Sequence, residues 1–147
     1  MATYLRQIPG IAFYENGQFT GTGFAKPVDL SALPFLYDDL SLFDNRILYY
    51  ESSRGCPFSC AYCLSGKEHG LRYRNLDMVL DELQYFLTHK VKQVKFVDRT
   101  FNASPERTLA IWRFLQDHDN GITNFHFEIA DMDGVAEEQV DLAEDAR

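Results

Sequence analysis

Several features that mark whole classes of protein are scarce or missing in this sequence. No hydrophobic run approaches the roughly 20 apolar residues that a membrane-spanning helix needs. Residues 1–6 lack the apolar core of a secretory signal peptide, and the chain has no basic stripe of the kind that binds nucleic acid. The sequence therefore predicts a cytoplasmic protein whose partners include neither a membrane nor a nucleic acid.

Basic residues are also in the minority, and the acidic excess is local. The 147 residues carry a formal net charge of -8, and residues 131–147 contribute most of it, since seven acidic residues there face only Arg147. Such a run is typical of a solvated helix face. A hydrophobic fraction of 46% excludes a disordered chain, and the length allows one ordinary domain.

The order of predicted elements indicates an α/β fold. Asn16-Gly17 lies between two short apolar runs and predicts a β-hairpin; a proline-containing linker follows. From residue 46 onward the pattern alternates between strands and helices. Strands are predicted at 46–52, 91–98 and 123–130, and helices after Asn75, after Ser104 and from Val135. This alternation is the signature of parallel βαβ units.

Cysteine is confined to one short loop after the first of these strands, at Cys56, Cys60 and Cys63. An odd count fits badly with a disulfide framework, and without a secretory signal a cluster favours metal binding. Three thiolates at this spacing can wrap one soft metal centre. A zinc site would close with a fourth protein ligand, for which His69 is the candidate. An iron–sulfur cluster held by three cysteines would instead leave one iron open.

The sequence Cys-Pro-Phe-Ser-Cys-Ala-Tyr-Cys at residues 56–63 resembles the cluster-binding signature of the radical S-adenosylmethionine (SAM) superfamily. Residues 49–56, 94–102 and 125–129 resemble its cobalamin-binding branch, in a subgroup with no assigned reaction. The resemblance implies that the three cysteines bind a [4Fe–4S] cluster whose fourth iron binds SAM. A low-potential electron donor would then drive cleavage of SAM to a radical that attacks an unknown substrate.

The resemblance further implies that residues 46–147 form the N-terminal half of an incomplete (βα) barrel of about three parallel strands, and that residues 1–45 form the preceding hairpin and linker. The family's cobalamin domain and later strands are not in this sequence, so cobalamin is implied only for the full-length family. We interpret the chain as a fragment, a truncated reading frame, or one piece of a split protein whose second chain completes the barrel. The alternatives are a non-catalytic iron–sulfur remnant and a small zinc module.

Three further residues are candidates for binding the cofactor. Tyr62 belongs to the cysteine motif. Asp98 ends the second strand, where this family places groups that meet the SAM amino group and where sites of βα barrels collect. Glu128 projects beside His126 from the third strand toward the predicted lumen. The plainer interpretations are that Asp98 caps a loop and that Glu128 and His126 neutralise each other on a wet surface. No catalytic residue is assigned.

Overall fold

Residues 2–64 and 70–130 are described by a computed structural model of the chain. The strands in these ranges are β1 (Ala12–Glu15), β2 (Gln18–Gly21), β3 (Leu48–Tyr50), β4 (Ser53–Arg54), β5 (Arg72–Tyr73), β6 (Gln93–Phe96) and β7 (Asn124–His126). The helices are α1 (Ala2–Leu5), α2 (Leu76–Thr88) and α3 (Pro105–Asp117). Within these ranges, no helix is long and apolar enough to cross a membrane. The acidic run at 131–147 and the helix predicted from Val135 lie outside the described residues.

The central sheet consists of three parallel strands in the order β3-β6-β7, with α2 and α3 as the crossover helices. The predicted α/β alternation is thereby confirmed, whereas closure into an incomplete barrel is not shown by the described residues. The strands are shorter than the sequence predicted. Beyond β7, the backbone of Ala130 pairs with the Asn102 side-chain amide, and the Glu128 carbonyl accepts from Phe101 N–H. The loop that follows β6 thus pairs with the chain beyond β7, in place of a continuation of the β6 strand.

One face of the sheet is buried against the helices. Leu48 lies opposite Val94, and Val94 opposite Phe125, so each strand places an apolar side chain on this face. The remaining core consists of large apolar residues that the helices and the following loop contribute: Val79, Leu83, Phe86, Leu87, Phe101, Ile111, Trp112 and Leu115. The opposite face carries the cross-strand row Tyr49, Lys95 and His126, because neighbouring side chains along a strand alternate between faces.

The predicted hairpin is present. β1 and β2 pair antiparallel, with Glu15 opposite Gln18, so Asn16 and Gly17 form a two-residue turn. Their φ angles are 52° and 77°, the left-handed values that a type I′ turn requires and that asparagine and glycine tolerate best. The local sequence is therefore sufficient to specify this element.

The linker that follows the hairpin is fastened to the sheet domain. Leu30 is buried, and the rings of Phe35 and Tyr37 lie 5.5 and 5.6 Å from that of Phe86 on α2. Two short 3-10 turns at Leu30–Ala32 and Leu40–Phe43 begin at aspartates whose carboxylates accept from the backbone. The boundary predicted near residue 45 stays a prediction, but the second half of the linker packs with the core.

Helix α2 begins where the sequence predicts. The Asn75 side chain accepts a hydrogen bond of 3.2 Å from Met78 N–H, which satisfies one of the free amides of the first turn. We expect Asn75→Ala to lower the free energy of unfolding by about 1 kcal/mol. Urea denaturation measures this change. Asp81→Ala, at an exposed position of the same helix, should stay within about 0.5 kcal/mol; equal losses in both variants would show that the cap is not responsible.

Candidate functional site

The three cysteines lie in a loop that is closed at its base by a short antiparallel ladder. β4 pairs with β5, with Ser53 opposite Tyr73, and the loop runs between the two strands. Gly55 has φ +104°, and a Cβ at this position would lie 2.4 Å from the carbonyl oxygen of Gly70. The two ends of the loop therefore approach each other more closely than a side chain would allow.

Within the loop, the cysteines differ in their surroundings. Cys56 is half-buried, and its thiol is hydrogen-bonded to the hydroxyl of Thr100 at 3.3 Å. Cys60 and Cys63 are exposed and lie at the two ends of a turn in which Cys63 N–H donates to the Cys60 carbonyl at 3.1 Å. Tyr62, between them, is 92% exposed, and its predicted contact with a cofactor stays a prediction.

The described residues do not bring these thiols together as a metal site. No group of three histidine, cysteine, aspartate or glutamate side chains in 2–64 and 70–130 is placed to hold a metal ion. Cys56 contacts the Thr100 hydroxyl, whereas Cys60 and Cys63 are more exposed. The assignment of Cys56, Cys60 and Cys63 as ligands of a metal cluster stays a prediction. His69, the expected fourth zinc ligand, lies outside the described residues.

A cavity of about 470 Å³ lies beside the loop, at the carboxyl ends of β3 and β6. Its lining comes from the residues that follow these two strands: Glu51, Ser53, Arg54, Gly55, Val97 and Arg99. Ligands of open parallel sheets bind in the crevice at this edge, and the volume falls within the roughly 300–1,000 Å³ of small-molecule sites. This cavity is the candidate site.

Charged groups of both signs line the cavity. The Arg54 guanidinium donates to Glu51, with Nε 2.9 Å from Oε1 and a second contact through Nη2. Arg99 is exposed at the end of β6, and in the part of the chain that the structure describes we find no ion-pair partner for it. An accessible guanidinium is suited to bidentate recognition of a carboxylate.

Asp98 lies beneath this cavity and does not line it. Its side chain is buried and accepts hydrogen bonds from Ser52 N–H at 2.8 Å, from the Ser52 hydroxyl at 2.6 Å and from the Ser53 hydroxyl at 2.8 Å. Burial raises the pKa of Asp98, and the bonds from the two serines oppose that rise. The predicted contact of Asp98 with the SAM amino group stays a prediction, since both carboxylate oxygens are occupied within the protein.

Glu128 projects from the chain beyond β7, on the face of the sheet away from the helices. Its carboxylate lies 3.1 Å from Lys95 Nζ and 3.9 Å from His126 Nε2. The hydrogen bond and the charge of Lys95 lower the pKa of Glu128. The structure thus brings His126 and Glu128 together as the sequence suggested and adds Lys95. Neither residue lines the cavity, and a role for Glu128 in cofactor binding stays a prediction.

Sequence reasoning missed three residues of this region. Arg99 and Thr100 directly follow Asp98, so applying the carboxyl-edge rule to the whole segment after β6 would have identified them. Arg107, in the first turns of α3, reaches back to the sheet. Its Nη2 donates to the Ser52 carbonyl at 3.4 Å, and its guanidinium lies 5.2 Å from the centroid of the Tyr73 ring. No local pattern marks this residue, because the contacts depend on how α3 packs.

Comparisons with known proteins bear on what the site does. A scan against protein-family models found no match. The chain is 35% identical over 118 residues to an uncharacterized methyltransferase of Pyrococcus horikoshii; the matched region covers 73% of the chain and 26% of that protein. It is 36% identical over 70 residues to the 2-(S-pantetheinyl)-carbapenam-3-carboxylate methyltransferase of Streptantibioticus cattleyicolor; this matched region covers 46% of the chain and 10% of that protein. The chain therefore spans about a quarter or less of the relatives that it matches.

These findings correct the functional prediction. Both relatives are named for methyl transfer, and the described residues assemble no group that could hold a metal. On these two findings, the prediction of a radical SAM iron–sulfur protein, or of its cluster- or zinc-binding remnant, is wrong. Nothing found supports the [4Fe–4S] cluster, the cobalamin or the low-potential electron donor that accompanied it. The similarity is to methyltransferases.

Proposed function

We propose that this chain is part of a methyltransferase and that it contributes the binding site for SAM as methyl donor. The observation that carries the proposal is the 35% identity over 118 residues to a protein named as a methyltransferase. The predicted small-molecule partner, SAM, is thereby retained. In SAM the methyl group is bonded to a sulfonium, which makes it electrophilic and leaves a neutral thioether after transfer.

The cavity at the carboxyl ends of β3 and β6 has the chemistry that SAM requires. SAM carries a carboxylate and an ammonium at its amino-acid end and a flat adenine at the other. Arg99 offers an accessible cation for the carboxylate. Glu51 and Ser53 also line the cavity, and Glu51 supplies the negative charge that suits the ammonium.

The chain's own residues would bind and orient the donor. Arg54 donates to Glu51 and so holds that carboxylate at the cavity wall. Val97 gives the wall an apolar surface beside the charged groups. Fixing the amino-acid end through two charges of opposite sign also fixes the direction of the sulfonium methyl, and orientation of this kind is a large part of catalysis by proximity.

We also propose that the three parallel strands belong to a larger βα sheet. The sequence predicted that this sheet takes the form of an incomplete barrel. The larger sheet is supported by the polar face of the three strands, where Tyr49, Lys95 and His126 form a row that the described helices do not cover. The relatives are also much longer than the matched region. A methyl acceptor bound on this face would lie next to the candidate site.

Arg99→Gln tests the proposal. Because a hydrogen bond to a charged group contributes about 1.5–3 kcal/mol, we expect the Kd for SAM to rise about 10- to 100-fold. Isothermal titration calorimetry of the purified chain measures it. The Kd for 5′-methylthioadenosine, which has no carboxylate, should change little in the same variant.

Arg46→Gln is the matched control, because Arg46 is also exposed but precedes β3 at the opposite end of the sheet. It should leave SAM affinity unchanged. The proposal is wrong if the unmodified chain does not bind SAM, or if Arg46→Gln weakens binding as much as Arg99→Gln.

A further inference from the structure

Two buried polar residues after β6, Asp98 and Thr100, form hydrogen bonds with residues 52–56, the segment that forms the opposite wall of the cavity. Asp98 accepts three hydrogen bonds from Ser52 and Ser53, and Thr100 is bonded to the Cys56 thiol. Both side chains are almost fully buried, at 1% and 2% exposed. Two residues of one loop therefore hold both ends of residues 52–56, and the cavity residues Ser53, Arg54 and Gly55 lie between the two attachment points.

The backbone of Ser52 is fixed from two further directions. Its carbonyl accepts from Arg74 N–H at 2.9 Å and from Arg107 Nη2 at 3.4 Å. Arg107 Nε is itself buried, with no hydrogen-bond partner among the described residues. A buried guanidinium is costly unless charges or hydrogen bonds compensate it, and here the Tyr73 ring, the Ser52 carbonyl and the charge of Asp98 do so. This is consistent with a rigid segment at the base of the cysteine loop.

We infer that Asp98 and Thr100, supported by Arg107, are positioning residues that fix residues 52–56 as the rigid wall of the cavity. They act on a ligand only through Ser53, Arg54 and Gly55. That the ligand is SAM depends on the function proposed above, whereas the positioning does not. Thr100 thereby keeps the Cys56 thiol less accessible than those of Cys60 and Cys63.

The test compares the alkylation rate of each cysteine by iodoacetamide in the full chain. Mass spectrometry, with fragment ions that separate the three positions, gives the three rates. In the unmodified chain Cys56 should react most slowly. Thr100→Val should raise the rate at Cys56 about fivefold, the factor that one hydrogen bond is worth, and leave Cys60 and Cys63 unchanged. Thr100→Ser, which keeps the hydroxyl, should restore the slow rate.

A matched control separates positioning from a general loss of stability. Thr108 is a buried threonine on α3 whose hydroxyl donates to the carbonyls of Phe101 and Ser104, so Thr108→Val should leave all three rates unchanged. Asp98→Asn should raise the alkylation rate of Cys56 and also weaken SAM binding.

An equal rise in the alkylation rates of all three cysteines, or the same effect in Thr108→Val, would overturn the inference. An unchanged Cys56 rate in both Thr100→Val and Asp98→Asn would also overturn it. These outcomes are distinct from a failure of the proposed function. If the unmodified chain does not bind SAM, the proposed function fails, while the alkylation rates still decide whether Asp98 and Thr100 position the segment.

Discussion

Arg74→Met is expected to lower the free energy of unfolding by about 3–5 kcal/mol, the usual cost of removing one partner from a buried ion pair. The side chains of Arg74 and Glu82 are 7% and 10% exposed, and they make two hydrogen bonds with each other. The Tyr50 hydroxyl also donates to Glu82. Methionine would leave the Glu82 carboxylate buried beside a tyrosine whose pKa is already raised, first by burial and then by Glu82.

The loss extends to the linker, because Arg74 Nη1 donates to the carbonyls of Leu30 and Leu33. Urea denaturation followed by circular dichroism measures the stability. The neighbouring Arg72 is only half-buried and donates to the Val28 carbonyl at 3.3 Å, so Arg72→Met should cost less than about 1 kcal/mol. Adding Glu82→Leu to Arg74→Met should recover part of the loss. Similar costs for Arg72→Met and Arg74→Met would contradict the argument.

Gly55→Ala is expected to open the base of the cysteine loop and to abolish measurable SAM binding. At φ +104° a residue with a Cβ is strained by roughly 1–3 kcal/mol. The added Cβ would also lie 2.4 Å from the Gly70 carbonyl oxygen and 3.3 Å from Leu71 Cα. Because these atoms are backbone, the collision is relieved only by separating β4 from β5, which moves the cavity wall.

Gly121→Ala is the control for this prediction. Gly121 also has a positive φ, +66°, but nothing lies within 4 Å of the position its Cβ would take. It therefore carries the backbone strain without the collision, and it should lower stability while leaving the Kd for SAM unchanged. Calorimetry and urea denaturation of both variants separate the two effects. Unaltered SAM binding by Gly55→Ala would show that the close approach of Gly55 and Gly70 does not shape the site.

Much of the fold was predictable because it depends on local patterns. The turn at Asn16-Gly17 requires left-handed backbone angles that few residue pairs adopt, and the cap at Asn75 depends on a single side chain and the next turn of helix. The strand limits were less predictable. The chain beyond β7 pairs with Asn102 and Phe101, which belong to a loop that no strand pattern reveals.

The sequence predicted where the candidate site lies, but not which residues line it. Asp98 was identified because it ends a strand, and the structure does place the cavity at that edge. Yet Asp98 is buried among serines, while its neighbour Arg99 is the exposed group. The alternation of β6 continues into this segment, so that Asp98 and Thr100 are buried like Phe96, while Val97 and Arg99 line the cavity. The cysteine spacing likewise indicated a metal site, which stays a prediction, and the spacing did not reveal the contact of Cys56 with Thr100.

By itself, the sequence determined the parallel α/β arrangement, the hairpin and the edge of the sheet at which chemistry is to be expected, because these follow from the periodicity of apolar residues and from the geometry of parallel strands. Only the tertiary structure decided which groups meet there. Asp98 reaches Ser52 across 46 positions of sequence, and Thr100 reaches Cys56 across 44. Such contacts arise from the packing of β3 against β6, and no local pattern encodes them.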